Sequence, residues 1–186
     1  MTYDSNLVRI ERVNTSHTVT IVPRLEYSNV LLISIIDILK QKKTELKKSN
    51  RHFLELDDGD HTYVKALDFE RTITFSLEIL FQIQKKINSI SGITSIPELL
   101  PLVIPMIRTV SAQLFNLLPA CSQSLSELSV QLGSIILDSG ILTEARFDFS
   151  QSNVQSSSVL NEVKLMVDSK LSKQYPNLDF SKACNT

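Results

Sequence analysis

Two long stretches of the chain carry apolar residues at helical spacing, and the acidic turn Asp57-Asp58-Gly59-Asp60 separates them. Before the turn, every seventh residue of one series is apolar or aromatic: Leu25, Leu32, Leu39, Leu46 and Phe53. After the turn, steps of three and four recur at Ala66, Phe69, Ile73, Ser76, Leu80, Ile83, Ile87 and Ile90. Such a repeat places one narrow apolar stripe along each helix. The pattern therefore predicts two helices, near residues 27–56 and 61–91, packed as a long antiparallel hairpin.

A third helix is expected after Gly92, because Ser95-Ile96-Pro97-Glu98 has the form of a capping box. Pro101 and Pro105 interrupt that pattern, since an interior proline removes one backbone hydrogen bond. We therefore expect this helix either to be kinked or to start only at one of these prolines.

A fourth helix is expected from a second capping box, Ser124-Leu125-Ser126-Glu127, with Pro119 as the break before it and Gly140 as its end. Residues 141–157 contain Ser150-Gln151-Ser152-Asn153 and run into Ser156-Ser157-Ser158, and this composition predicts a mobile linker. A fifth, amphipathic helix follows, with its apolar side formed by Leu160, Val163, Val167, Leu171 and Tyr175. Such a helix must dock to be stable, either on the hairpin or on a neighbouring copy.

The expected fold is all-α: a long antiparallel helical hairpin, two shorter helices packed on it, and a detached C-terminal amphipathic helix. The predicted divisions are an N-terminal flexible segment 1–24, a helical core 25–140, the linker 141–157, and a C-terminal regulatory helix and tail 158–186. Within the first segment, a short alternation from Thr18 to Val22 could form an edge strand or stay extended.

Composition supports a helical chain, because only four glycines, six prolines and no tryptophan occur among 186 residues. The net charge of -1 hides an asymmetry. Residues 24–56 carry seven basic and four acidic side chains, whereas residues 57–140 carry five basic and nine acidic ones. The basic first helix is predicted to present a surface that binds anions. The acidic segment after it could cover that basic surface within the same chain.

Several classes of function are disfavoured by the residues. No Ser/His/Asp or Cys/His grouping, glycine-rich phosphate loop or HExxH motif is present, so we expect neither an enzyme nor a bound cofactor. His17, His52 and His61 lack further ligands at zinc spacing, and the acidic turn lacks the twelve-position calcium pattern. Cys121 and Cys184 fit a reducing cytosol. The apolar runs are shorter than a membrane span, so any membrane contact is expected to be peripheral.

The order of these parts, together with several local stretches, resembles the ESCRT-III superfamily, most closely its archaeal cell-division (Cdv) B-type members. The resemblance covers about residues 28–178. The stretches are Gly92 to Pro97, Val103 to Arg108, Leu117 to Ala120, and the closing helix from Asn161 to Leu178 with its proline end.

The resemblance implies a subunit that polymerises on anionic membrane and drives membrane remodelling and scission in archaeal cell division. It implies a cytoplasmic protein held peripherally at the inner face of the plasma membrane at the division site. Its implied partners are further copies of itself, paralogous ESCRT-III subunits and an AAA+ ATPase of the Vps4 type. Two departures weaken the implied recruitment and disassembly: we expect no winged-helix tail, and Pro176 alone makes a weak ATPase-binding motif.

A basic cluster on the first helix is the candidate membrane site. Lys40, Lys43, Lys47 and Arg51 are spaced by three and four, and Lys42 and Lys48 lie beside them. Near an anionic bilayer each such cation contributes about 1 kcal/mol, so adsorption would be reversible and salt-sensitive. The alternative is a solvated basic face that serves solubility. Nucleic acid is disfavoured because no aromatic residues interleave these lysines.

Leu77 and Phe81, four residues apart on the second helix, are the candidate subunit interface, because they lie outside the apolar stripe. Leu160, Val163, Val167 and Leu171 are the candidate contacts of the regulatory helix. A rival interpretation from another class is a soluble helical adaptor or scaffold that binds a partner helix and makes no membrane contact.

Overall fold

The computed structural model describes the backbone of residues 5–55, 61–143 and 149–175 and the side chains of residues 20–49, 65–141 and 150–175. Within these ranges the fold is all-α, as the sequence predicts, and contains no strand. Its helices are α1 (Ser5–Glu55), α2 (His61–Asn88), α3 (Ile96–Leu114), α4 (Pro119–Thr143) and α5 (Phe149–Gln174). One turn of 3-10 helix, Ile93–Ser95, precedes α3.

Helix α1 begins at Ser5, about twenty residues before the predicted start, and Pro23 lies within it. The alternation from Thr18 to Val22 is therefore helical and forms neither a strand nor an extended segment. The physical reason is visible at Ile21, which is fully buried and lies four residues before Leu25. Ile21 thus extends the apolar stripe of α1 by a further turn, whereas Val22 remains exposed.

Helices α1 and α2 pack against each other along the predicted stripes. Along this contact, residue numbers rise on α1 as they fall on α2: a groove joins residues 21–29 to residues 87–91, and Lys40 lies over Phe81. A fully buried Leu or Ile side chain stabilises a fold by about 1.5–3 kcal/mol relative to exposure. The stripe residues with no exposed surface are Leu32, Leu39, Ile73, Leu80 and Ile83.

Helix α3 is continuous across Pro101 and Pro105, so it neither starts late nor breaks at a proline. Pro97 stands in its first turn, where the missing N–H group would have no helical partner in any case. The predicted capping box differs in detail, because Ser95 makes no cap hydrogen bond to α3. The Ser95 hydroxyl instead donates to the carbonyl of Gly92 at 2.8 Å and thereby closes the preceding 3-10 turn.

Helix α4 begins at Pro119, so this proline is the first helical residue and not the end of a break. Ser124 consequently lies inside the helix, and the predicted capping box does not start it. Gly140 also lies inside, because the helix continues to Thr143. Since proline is preorganised for a first helical position, the earlier start is physically favourable. The fully buried stripe of α4 consists of Leu125, Leu128, Leu132 and Ile135.

Three serine hydroxyls join α3 to α4. Ser111 Oγ donates to the carbonyl of Ser122 at 2.9 Å, and Ser122 Oγ donates to the carbonyl of Ser111 at 2.8 Å. The Ser126 hydroxyl lies 3.0 Å from that of Ser111. Because a buried hydroxyl without a partner destabilises a fold, this reciprocal bonding lets two polar positions lie in a close helix–helix contact.

The predicted linker 141–157 is largely helical. Helix α4 reaches Thr143, and α5 already begins at Phe149. The serine-rich segment forms the first turns of α5, where Ser156 is buried and its hydroxyl donates to the carbonyl of Leu102 at 2.8 Å. Helix α5 packs on α2 and α3 along its length. A sequence that favours a linker by composition is helical here because tertiary contacts outweigh weak local preferences.

Candidate regulatory interface and cationic surface

The apolar side of α5 faces the rest of the fold, as its spacing predicts. Val163, Val167 and Leu171 are buried, and Leu160 is partly buried against the same core. These four residues recur at steps of three and four, so they lie on one side of the helix. Three apolar side chains of this 26-residue helix are buried, and Val159 and Met166 are partly buried against the core.

The end of α5 is attached to α2 through a buried carboxylate. Glu70 has no exposed surface, and Tyr175 Oη donates a hydrogen bond of 2.8 Å to its Oε2 atom. Gln174 Nε2 donates to the other oxygen, Oε1, at 3.3 Å. A carboxylate removed from water depends on such donors, because an unpaired buried charge is strongly destabilising.

Two ion pairs flank this buried contact. Arg71 binds Asp168 through two parallel hydrogen bonds, Nε to Oδ1 and Nη2 to Oδ2, each 2.7 Å long. Lys170 Nζ lies 2.6 Å from Glu78 Oε1. Both pairs join α5 to α2 and both are partly open to solvent. The fit of α5 is therefore specified by charges as well as by apolar area.

Sequence reasoning did not identify Glu70, Arg71 or Tyr175 as a cluster. One signal could have found Glu70: it lies seven residues before Leu77, so both residues share one face of α2. A carboxylate on an apolar helical face requires a donor from another element. The donors come from Tyr175 and Gln174 because α5 packs on α2. The spacing of residues along α2 does not show which helix will supply them.

The basic cluster of α1 is partly engaged within the chain. Lys40 Nζ lies 3.0 Å from Asp37 Oδ1 and 5.6 Å from the centre of the Phe81 ring. Lys42 Nζ lies 2.8 Å from Glu45 Oε2. A cation over an aromatic face is attracted by the ring electrons. Lys40 is therefore oriented towards α2 as much as towards solvent.

Lys43 lies on α1 and is partly exposed. Burial lowers the pKa of its ammonium group, and the neighbouring Lys47 lowers it further. Glu78 and Glu70 act in the opposite direction and offset part of this change. Lys43 is thus a partly desolvated cation whose charge is influenced by Glu78 and Glu70 of α2.

The remaining cations of the cluster differ from one another. Lys48 is exposed and Lys47 is partly exposed, and within the described side chains neither makes an ion pair. Arg51 lies in the described helix, but its side chain is outside the described residues. The six predicted membrane ligands therefore do not form one equivalent row of free charges.

The two residues predicted for a subunit interface have separate environments. Leu77 is only 4% exposed and packs in the core of this chain. Phe81 is 39% exposed, with Lys40 over its ring. Leu77 therefore cannot contribute to an exposed patch in this conformation. Large apolar side chains are exposed instead on α1 and α4, for example Val30, Val130 and Leu137.

Among the described residues, no group of three or more His, Cys, Asp and Glu side chains could hold a metal ion. The acidic turn of residues 57–60 and the His52 and His61 side chains lie outside the described residues. Cys121 is a buried free cysteine, and burial raises the pKa of its thiol. The neutral thiol that results is a poor nucleophile and a poor metal ligand.

The segment Ile93–Leu114 is long and apolar enough to cross a membrane by length and composition, with a mean hydropathy of 1.4. It packs against α2, α4 and α5, however, and 44% of its most apolar stretch is buried. A core helix of a helical bundle has the same composition, so the hydropathy alone is weak support for a span.

No protein-family model matches the chain, and no solved structure matches it. The class that the described residues define is therefore an all-α protein of five helices.

Proposed function

We propose that the chain is an ESCRT-III-like subunit that polymerises on anionic membranes and drives membrane remodelling and scission in archaeal cell division. The observation that supports this proposal most directly is the composition of the α5 interface. Val163, Val167, Leu171 and Tyr175 are buried at this interface, and Val159, Leu160 and Met166 are partly buried. Two ion pairs and the buried Glu70 carboxylate add polar contacts to α2. Such an interface is specific and yet small enough to be exchanged for a contact with a neighbouring subunit.

The proposed scaffold is an antiparallel hairpin of α1 and α2 with α3 and α4 packed on it. Its support is the opposite order of residue numbers along the α1–α2 contact and the burial of both stripes. In this proposal α5 is the regulatory helix, and its release would uncover the apolar surface that Val163, Val167 and Leu171 now cover. The proposed core comprises α1 to α4, and the proposed closing segment is α5, which begins at Phe149, nine residues before the predicted boundary at 158.

The proposed membrane surface is the part of α1 around Lys47 and Lys48. These two cations have no ion pair among the described side chains, and Arg51 lies one further turn along the same helix. Lys40, Lys42 and Lys43 would contribute only after giving up their present neighbours. Adsorption would therefore be weaker than six free cations would provide, and it would decrease with added salt.

The proposed location is the cytoplasmic face of the plasma membrane at the division site. Self-association, co-assembly with paralogous subunits and disassembly by a Vps4-type ATPase belong to the same proposal. Their support is the order of helices that resembles the family.

A soluble helical adaptor remains the second candidate, and one observation favours it. Lys40 and Lys42 each pair with an acid of α1 and Lys43 is partly desolvated, which leaves a smaller cationic surface than the sequence alone predicts. An adaptor would use its exposed apolar residues to bind a partner helix and would not bind membranes.

Co-sedimentation with lipid vesicles distinguishes the two candidates. The full chain should sediment with vesicles rich in anionic lipid and should remain in solution with neutral vesicles. The combined substitution Lys47→Glu and Lys48→Glu should abolish sedimentation, because it removes the unpaired cations and repels the surface. A matched control, Lys85→Glu with Lys173→Glu, makes the same change in net charge on α2 and α5 and should leave sedimentation near the wild-type amount.

Electron microscopy of the full chain tests the assembly part. Combining Asp168→Lys with Lys170→Glu reverses both ion pairs of α5 and should increase filament formation. If the wild-type chain ignores anionic vesicles and the variant stays monomeric, the membrane-remodelling proposal is wrong and the adaptor is favoured.

A further inference from the structure

An exposed face of α1 carries apolar and acidic residues in register. Glu26, Val30, Ile33 and Asp37 follow one another by steps of four, three and four, and all four are exposed. Val30 is 64% exposed, although it is a branched apolar side chain on a helix whose opposite side is buried. We call these four residues the α1 seam. A seam at this spacing is typical of a helix that packs against another element.

The acids of the α1 seam are not equivalent. Asp37 is paired with Lys40 of the same helix. Glu26 makes no ion pair with any described residue. The seam therefore presents two apolar side chains beside one carboxylate that is available to a partner.

A groove between α3 and α4 has complementary properties. It has a volume of about 570 Å³ and is lined by Arg108, Phe115, Leu125, Ser129 and Val130, among others. Phe115 is 65% exposed and Val130 is 75% exposed, so the groove has an apolar wall on each helix. Arg108 is the single basic residue of α3, and α4 has none. Within the described part of the chain, Arg108 has no ion pair.

We propose that the α1 seam of one copy docks into the α3–α4 groove of the next copy, with Glu26 facing Arg108. Val30 and Ile33 would then cover Phe115 and Val130. The inference rests on the self-assembly part of the proposed function and identifies the surfaces that meet.

The seam cannot occupy the groove of its own chain. Helix α1 contacts its own α4 through Arg24 and Ser28, which lie on the buried side of α1. The seam lies on the side of α1 away from α4; its four residues are exposed, and Glu26 also borders the groove between α1 and the end of α2. The contact must therefore join two chains through different surfaces, which is a head-to-tail arrangement, and such an arrangement continues into open filaments unless its rotation closes a ring.

A second copy fits the groove better than a small anion does. A phosphate or carboxylate bound at Arg108 would leave Phe115 and Val130 in water. A helix with apolar residues beside its carboxylate covers both walls and satisfies the guanidinium at the same time.

Charge reversal in the full chain tests the inference, with sedimentation velocity as the measurement. Arg108→Glu alone and Glu26→Arg alone should each raise the concentration needed for assembly by at least about tenfold, because like charges would then oppose each other at the contact. An equal mixture of the two variants should assemble as the wild type does, since every contact between unlike variants pairs opposite charges. The chain carrying both substitutions should also assemble.

The controls use exposed charges outside both surfaces. Lys85→Glu and Glu162→Arg should leave the assembly concentration unchanged. Val30→Ser and Phe115→Ser test the apolar part, and each should raise that concentration while circular dichroism reports an unchanged helix content, because both side chains are exposed.

The outcomes separate this inference from the proposed function. If the wild type assembles and the single reversals assemble equally well, the filament proposal stands and this interface is wrong. The interface is also wrong if the mixture fails to restore assembly. If the wild type ignores anionic vesicles, and both the wild type and the Asp168→Lys, Lys170→Glu variant remain monomeric at every concentration, both proposals are overturned.

Discussion

Helices α4 and α5 both pack on α3, but they do so by different physical means. Helix α4 buries Leu125, Leu128, Leu132 and Ile135 completely. Helix α5 buries three apolar residues and relies on charged and hydrogen-bonded contacts to α2 for its position. The α4 contact depends mainly on apolar area, which is insensitive to direction and salt. The α5 contact depends on several pairs that must all be in place.

This difference indicates which helix can leave the rest of the fold without unfolding it. Removing α4 would expose the centre of the core, including the shared serine cluster with α3. Removing α5 would leave α1 to α4 with most of their mutual contacts and would leave Glu70 open to water. Local opening usually involves the elements with the fewest buried apolar contacts. Helix α5 is therefore the element most suited to a conformational change.

The largest predicted effect is in α4. Leu128→Ala should lower the free energy of unfolding by about 2–5 kcal/mol, because it removes a fully buried side chain and leaves a cavity. Urea denaturation followed by circular dichroism measures this loss. Leu137→Ala changes an exposed leucine of the same helix and should have little effect. Equal losses for the two variants would contradict the assignment of the buried face.

The next effect concerns the buried carboxylate. Tyr175→Phe removes the hydroxyl that donates to Glu70 and should weaken α5 docking by about 1.5–3 kcal/mol, the usual range for a hydrogen bond to a charged group. Amide hydrogen exchange should become faster in α5 while α3 and α4 keep their protection. Tyr27→Phe, at an exposed tyrosine, is the control. Unchanged exchange in α5 would show that this contact does not hold the helix.

A smaller effect is expected at the flanking ion pair. Because Arg71 and Asp168 are partly exposed, a double-mutant cycle of Arg71→Gln and Asp168→Asn should give a coupling energy of about 1 kcal/mol or less. The coupling should decrease as sodium chloride is added. An energy that is independent of salt would indicate that the pair is more deeply desolvated than its exposure suggests.

The smallest effect is at Lys43. Burial lowers the pKa of its ammonium group below the ordinary 10.5, so the folded chain binds fewer protons than the unfolded chain between the lowered value and 10.5. The stability contributed by this residue therefore rises with pH across that interval. Lys43→Met should raise the free energy of unfolding at neutral pH by less than about 1 kcal/mol, and the advantage should shrink at alkaline pH. Thermal unfolding at several pH values measures this, with Lys48→Met as the exposed control.

Much of the helical order could be predicted from spacing. The stripes of α1 and α2 and the apolar side of α5 are visible as steps of three, four and seven, because a buried helical face repeats with the period of the helix. The predicted boundaries were less accurate. Helix α1 starts at Ser5 and α5 at Phe149, although the composition of both segments favours loops. In α5 the hydrogen bond from Ser156 to Leu102 shows tertiary contact within the serine-rich segment.

The candidate sites depended more on packing than on spacing. The periodicity of the lysines places them on one flank, but Asp37 and Glu45 of the same helix pair with Lys40 and Lys42, and Phe81 of α2 lies under Lys40. Leu77 lies off the predicted stripe and is nevertheless buried, because α2 contacts α3 and α5 as well as α1. A helix with three neighbours buries more than one face, and a single-stripe interpretation underestimates this.

The amino-acid sequence by itself determined an all-helical chain, its main apolar stripes and the basic character of α1, because these properties follow from residues close together along the chain. Only the tertiary structure decided that Tyr175 meets Glu70, that Arg71 meets Asp168 and that Lys43 is desolvated. These contacts join residues about one hundred positions apart. Their geometry arises from the packing of several helices, and no local period encodes it.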